Sequence, residues 1–253
     1  MNNSIMKFWL ILTTSLFLLS YACNAKENGC RTLRVAIIDT GLDVNDPRFS
    51  NRLCETGSKN FVSTETMNDL MGHGTHVAGL IKKNAKDANY CLLIFKFYEN
   101  DAQGSLTINR MTAAIQEAVK QHADVINISA GGPQFSEDEY LLIKNNPQIA
   151  FVVAAGNDGR NVDIPGNEYY PASYWLKNEF VVANMDDNRN RAVTSNWGKK
   201  VKWQYGENVL STLPCAFVNG EVICEGRMSG TSMATAIYSG KLVDSISKSC
   251  DSR

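Results

Sequence analysis

Leu33-Arg34-Val35-Ala36-Ile37-Ile38-Asp39-Thr40-Gly41 is a short apolar run, rich in β-branched residues, that ends in an Asp-x-Gly turn. It reads as a buried β-strand that carries a carboxylate to its C-terminal end, where open α/β sheets place their sites. Further along, Cys91–Tyr98, Asp124–Ser129, Ile149–Ala155, Glu179–Ala183 and Val209–Leu213 are short apolar runs of the same kind. Two helices are expected among them. Gly74–Lys83 sets His76, Gly79 and Leu80 on one side, and Leu106–His122 spaces Ile108, Met111, Ile115, Ala118 and Val119 at a helical period, with Ser105 placed to cap it. Strands alternating with helices predict an α/β fold, a mostly parallel β-sheet flanked by helices on both faces. No repeat, linker or low-complexity tract divides the run, so a single domain is expected.

The chain has 253 residues, 44% of them apolar, which is ample for a core and too apolar for disorder. A net charge of −1 without a basic cluster speaks against nucleic acid as a partner. Near the start, Lys7 precedes an apolar, Ser- and Thr-broken run from Phe8 to Ala22. That run is short of the roughly twenty residues a bilayer-spanning helix needs. Ser20-Tyr21-Ala22 and Cys23-Asn24-Ala25 each offer a small-x-Ala cleavage site. These features predict a signal peptide over residues 1–25, a mature domain over 26–253, a secreted or periplasmic location, and no membrane association once the signal is removed. A short membrane anchor or a buried helix is the alternative, and a lipid anchor at Cys23 a minor one, because Ser20 stands where such processing prefers an aliphatic residue.

Cysteine usage agrees with export. Of Cys23, Cys30, Cys54, Cys91, Cys215, Cys224 and Cys250, six remain if Cys23 leaves or carries lipid, an even number suited to disulfides. One pair follows from local geometry. Asn219-Gly220 is the favoured two-residue hairpin turn, so Val218 faces Glu221, Phe217 faces Val222, Ala216 faces Ile223, and Cys215 faces Cys224 within disulfide range. Two buried free thiols are the alternative. The remaining Cys30, Cys54, Cys91 and Cys250 allow three connectivities. No spacing suggests zinc.

Three motifs carry chemistry. Asp39-Thr40-Gly41 alone is most often a turn. Gly72-His73-Gly74-Thr75-His76-Val77-Ala78-Gly79 is more specific: two glycines let the backbone approach His73 closely, and small residues follow where a helix would pack tightly. A metal site on His73 and His76 is the alternative, but no acidic third ligand lies nearby. Gly230-Thr231-Ser232-Met233-Ala234-Thr235-Ala236 sets Ser232 at the positive end of a helix, where a capping serine is the plain reading.

Taken in the order Asp, His, Ser, these segments resemble the subtilisin-like serine proteases, the subtilases, a family whose triad order is a standard example. The likeness runs from about Arg34 to Ser239. It includes Asp124-Val125-Ile126-Asn127-Ile128-Ser129, Ala154-Ala155-Gly156-Asn157, Tyr170-Pro171-Ala172-Ser173 and Ser195-Asn196-Trp197-Gly198. The resemblance implies a serine endopeptidase with Ser232 as nucleophile and His73 as general base, then acid. Asp39 would hold the imidazole, and Asn157 would donate to the oxyanion. It also implies a substrate strand laid between Ser129-Ala130-Gly131 and Gly104-Ser105. Ala154-Ala155-Gly156 would wall the specificity pocket, and Tyr169 resembles the pocket-floor tyrosine of the proteinase K branch. The pocket is then mainly apolar, with Asp158 at its rim able to draw a basic side chain.

The departures from the family are informative too. Arg48 stands where many subtilisins keep a calcium-binding aspartate, and Lys82-Lys83-Asn84-Ala85-Lys86 replaces the long calcium loop. No metal and no cofactor is therefore expected, with disulfides as the external staples. About ten residues separate the expected cleavage site from the first strand, so the usual inhibitory propeptide and its folding role are expected to be absent. The expected protein is a monomer acting on peptide or protein substrates. An inactive subtilisin-like binding or inhibitor protein is the alternative, and peptide ligation by the same acyl-enzyme is a third reading.

Overall fold

The computed structural model describes residues 31–62, 66–99 and 104–251; the expected signal segment and Cys30 lie outside them. Leu33–Asp39 forms β1, with β2 at Lys59–Asn60, β3 at Tyr90–Lys96, β4 at Val125–Ile128, β5 at Ala150–Ala154, β6 at Glu179–Met185 and β7 at Lys202–Tyr205. They make one sheet in the order β2-β3-β1-β4-β5-β6-β7, and every pairing in it is parallel. The α/β expectation holds. Strand order reverses at β1, which lies between β3 and β4, and that switch is where a crevice opens at the strands' C-terminal ends.

The period of two along β1 divides the core. Val35 and Ile37 pack with helices α1 (His73–Asn84) and α4 (Thr231–Asp251) on one face. Ala36 and Ile38 pack with α2 (Ser105–Lys120) and with Ile143 of α3 (Glu137–Lys144) on the other. A fully buried strand must be apolar on both sides, which is why β1 reads as a continuous run. Small residues bring α1 and α4 together: a β-carbon on Gly240 would lie 2.7 Å from the carbonyl oxygen of Ile81.

Two local readings are corrected. Gly104, at φ +61°, takes the cap position of α2, so Ser105 is the first helical residue and caps nothing. Helix α3 has no counterpart in the sequence reading, because eight residues show little periodicity. It is marked instead by Ser136, whose hydroxyl accepts from Glu139 N, and by three acidic residues in its first turn.

The last sheet is the hairpin of β8 (Val209–Val218) and β9 (Glu221–Met228). Its end has the expected register, Ala216 with Ile223, Phe217 with Val222, and Val218 with Glu221, and Cys215 is bonded to Cys224. Cys54 is bonded to Cys91, and Cys250 is also disulfide-bonded.

Candidate active site

Two sequence-distant residues meet at the end of β1. Asp39 ends the strand, almost wholly buried, and its Oδ1 lies 2.7 Å from Nδ1 of His73, which begins α1. The His73 side chain remains 30% exposed. Burial works against the imidazolium, but the charge and hydrogen bond of Asp39, with help from the charge of Asp69, raise its pKa above the ordinary value. Ser232, in the first turn of α4, donates through Oγ to the carbonyl oxygen of Ser129 at 3.0 Å. Among the described residues no hydrogen bond joins Ser232 to His73, a separation common in unliganded sites, where catalytic contacts tighten on substrate binding.

Asn157 is exposed just beyond β5. Its Oδ1 accepts from the backbone N and the hydroxyl of Thr231, at 2.9 and 3.1 Å. That anchoring leaves Nδ2 to donate beside the Ser232 turn. Gly156 makes the turn possible with φ +99°, a conformation costly for other residues.

A carboxylate absent from the sequence reading organises this site. Asp69 is buried and accepts from Met71 N (3.0 Å), Gly72 N (2.8 Å), Thr75 N (2.7 Å) and the hydroxyls of Thr40 and Thr75 (both 2.8 Å). It therefore satisfies the orphan donors at the start of α1 with a charge suited to the helix dipole. Gly74 N donates to the Thr40 hydroxyl at 2.9 Å, and Thr40 N donates to Asp39 Oδ1 at 2.8 Å. Asp69 thus fixes the strand end that holds Asp39 and the helix start that holds His73 relative to each other. Lys96, buried beside Asp39 in the register of β1 and β3, donates to the Asn68 carbonyl at 2.8 Å and pairs with Glu99. It holds the segment leading into Asp69.

The second histidine of the motif has a different task. His76 is fully buried, with Nε2 3.0 Å from the Val209 carbonyl and 3.2 Å from that of Gly226. Burial lowers its pKa. It ties α1 to the hairpin.

The residues expected to bind substrate lie just after β4, at and after the end of β5, at Tyr169 and at the start of α2. Ser129, Ala130 and Gly131 follow β4, and Gly132 is bridged to Tyr170 through N–H···O bonds of 2.9 and 2.7 Å. The Tyr169 ring lies between two glycines: a β-carbon on Gly131 would sit 2.5 Å from Cε1, and one on Gly156 2.9 Å from Cδ2. Only glycine admits the ring there. Burial, then the charge of Asp158, push the Tyr169 hydroxyl up to about 12. Ala154 ends β5, and Ala155, which follows it, belongs to the same apolar cluster as Tyr169. Gly104 and Ser105 begin α2, and no contact in the structure joins them to Ser129–Gly131.

Arg48 is not an idle replacement. Its guanidinium pairs with Asp46 and donates to the backbone carbonyls of Leu213 and Cys224, each at 2.6 Å. The carboxylate and two carbonyls are oxygen donors of the type a hard cation takes, and here a side-chain cation occupies them. Burial raises the Asp46 pKa, but the hydrogen bonds and charge of Arg48 outweigh it and leave the carboxyl below its ordinary value.

The Subtilase family profile matches residues 31–249. The Major intracellular serine protease of Bacillus subtilis (strain 168) is 33% identical over 228 residues, which are 84% of this chain and 67% of that protein. The Intracellular serine protease of Paenibacillus polymyxa is 32% identical, over 84% of this chain and 66% of its own length. Among solved structures, the protease domain of PatA matches with a TM-score of 0.69 at 26% identity, covering 90% of this chain and 83% of that one. A lanthipeptide protease, at 22% identity and TM-score 0.72 over 94% of this chain and 81% of its own, shares the fold. The parallel sheet, the Asp39–His73 pair at its switch point and Ser232 on the facing helix agree with these matches, and the chain belongs to the subtilase family of subtilisin-like serine proteases.

Proposed function

We propose that this protein is a secreted or periplasmic endopeptidase that cleaves peptide bonds through an acyl-enzyme on Ser232. The observation that carries the reading is the 2.7 Å Asp39–His73 pair with Ser232 and Asn157 on the adjoining turns. Ser232 Oγ leaves the Ser129 carbonyl, gives its proton to Nε2 of His73 and attacks the substrate carbonyl carbon. The oxyanion forms against Asn157 Nδ2 and the Ser232 backbone N–H. Asp39 stabilises the imidazolium, which then protonates the leaving amine; water repeats the sequence to release the acyl group.

Substrate lies extended against Ser129-Ala130-Gly131, with Gly104-Ser105 on its far side. Its side chain enters the space bounded by Ala154, Ala155, Gly156 and the Tyr169 ring, a floor tyrosine as in the proteinase K branch. That space favours an apolar group of modest size, and Asp158 at the rim favours a basic one. Export is supported by the disulfides Cys54–Cys91 and Cys215–Cys224 and the bonded Cys250, since such bonds persist in oxidising compartments. The word intracellular belongs to the names of relatives. The test is digestion of a denatured protein by residues 26–253, with a Ser232→Ala control. Cleavage by the first alone is expected; cleavage by both, or by neither, contradicts the reading.

A further inference from the structure

The end of the β8–β9 hairpin, residues 215–223, is exposed on both faces, with Phe217 77% and Val222 67% accessible on one and Val218 and Ile223 on the other. Large apolar groups are rarely presented this way without a partner. The stem is held firmly. The Cys215–Cys224 bond crosses it, Arg48 binds a carbonyl on each strand, and the hydroxyls of Ser211 and Thr212 donate to the carbonyls of His76 and Thr75 at 2.8 Å. The end is therefore a presented surface on an ordered base, which lowers the ordering cost of binding.

We infer that this hairpin end is a docking surface for the substrate polypeptide on the leaving-group side of the scissile bond, taking an extended apolar segment flanked by basic residues. The inference rests on the protease reading above. In that chemistry the leaving amine departs past the general base, so the downstream chain must run beyond His73. The stem begins there: a β-carbon on Gly72, the residue before His73, would lie 3.3 Å from Leu213 and 3.7 Å from Pro214. From Pro214 to Asn219 the strand spans about 17 Å at ~3.3 Å per residue, so a substrate reaches its end only some five residues past the cut. Each strand of a two-stranded sheet also has one free edge, which an extended peptide can pair with.

Charge separates this occupant from others. Residues 215–225 hold Glu221 and Glu225 and no lysine or arginine, and the Arg48 guanidinium at the stem is already paired with Asp46. A second copy would meet like charges there, and an anionic bilayer would be repelled. A cationic, apolar peptide is attracted, with a salt dependence that screening predicts.

The test uses residues 26–253 carrying Ser232→Ala, so that peptide binds without being cut, and a fluorescein-labelled peptide with Val, Phe and Lys placed four to eight residues beyond an apolar cleavage position. Phe217→Ser with Val222→Ser should weaken its binding by about tenfold, about 1.4 kcal/mol, and added salt should weaken the parent. In the Ser232-containing protein the same pair should lower kcat/KM on the long peptide through KM. Hydrolysis of a nitroanilide that ends at the scissile bond should stay within about twofold, which also shows that the variant folds. Unchanged binding, or equal loss on both substrates, overturns the inference. So does a dimer that the double substitution dissolves, or co-sedimentation with phosphatidylcholine vesicles. If the long peptide binds but neither substrate is cut by the Ser232 protein, the protease reading fails, and the hairpin end stands as a peptide-binding surface without its place beyond a scissile bond.

Discussion

Ser232 and Ser129 are reciprocally bonded: the Ser232 hydroxyl donates to the Ser129 carbonyl at 3.0 Å, and the Ser129 hydroxyl donates to the Ser232 carbonyl at 3.1 Å. The end of β4 and the first turn of α4 are thereby locked in register, with Asn127 donating to the Ser129 hydroxyl and accepting from Ser239. The strand expected to receive substrate and the nucleophile expected to attack it are positioned by one contact. Ser129→Ala keeps the carbonyl that parks Ser232 but leaves the buried Asn127 amide short of an acceptor. The variant should lose about 1–2 kcal/mol of stability by denaturant unfolding, and its kcat should fall more than its KM rises.

Asp69→Asn tests the organising carboxylate. An amide replaces a charged acceptor of five hydrogen bonds at the start of α1, and its NH2 end faces donors. A stability loss of about 2–3 kcal/mol is expected from charge-assisted bonds of this kind. A thermal melt and a kcat measurement together check it: activity should drop although Asp69 lies outside the crevice.

The pH profile follows from His73. General-base attack needs the neutral imidazole, and its raised pKa places the acid limb of kcat/KM above the 6.5 of a free histidine. Removing the Asp69 charge in Asp69→Asn should move that limb to lower pH. Because the folded value is raised, the His73–Asp39 pair stabilises the fold fully below pH 6.5, and that contribution fades as pH rises through the folded value. Unfolding of Ser232→Ala against pH measures it free of self-digestion.

Arg48→Ala should cost about 2–4 kcal/mol, since it strands the buried Asp46 carboxylate and two carbonyls. The Asp46 pKa is depressed in the fold, so the contribution of the pair is present above pH 3.8 and is lost as pH falls through the folded value. With a guanidinium on those oxygens, chelators should shift the melting temperature of the parent little. Reduction of the disulfides should shift it by an amount matching about 2–5 kcal/mol.

How much of this was legible in the sequence depended on distance. The triad motifs, β1 and the hairpin register are local, and local chemistry decides them: Asn219-Gly220 sets the turn, and the turn sets Cys215 opposite Cys224. Cys54–Cys91 was one of three connectivities because it depends on a pairing of Leu53 with Leu92 that only the folded sheet supplies. Arg48 could be seen to exclude calcium, but its acceptors lie 165 and 176 residues away. Asp69 is neither periodic nor in a motif, and a carboxylate three residues before the Gly72 cap of α1 was the one available clue. The Gly131–Tyr169–Gly156 stack was half legible, since the glycines and the tyrosine were singled out separately and only the fold shows that they touch.

The central claim, that His73 makes Ser232 a nucleophile, is tested most directly by a fluorophosphonate probe read by peptide mass mapping. The account predicts one adduct, on Ser232, forming rapidly in residues 26–253, slowly in His73→Ala and not at all in Ser232→Ala. Absence of labelling in the parent chain, or labelling that persists at full rate in His73→Ala, would contradict it.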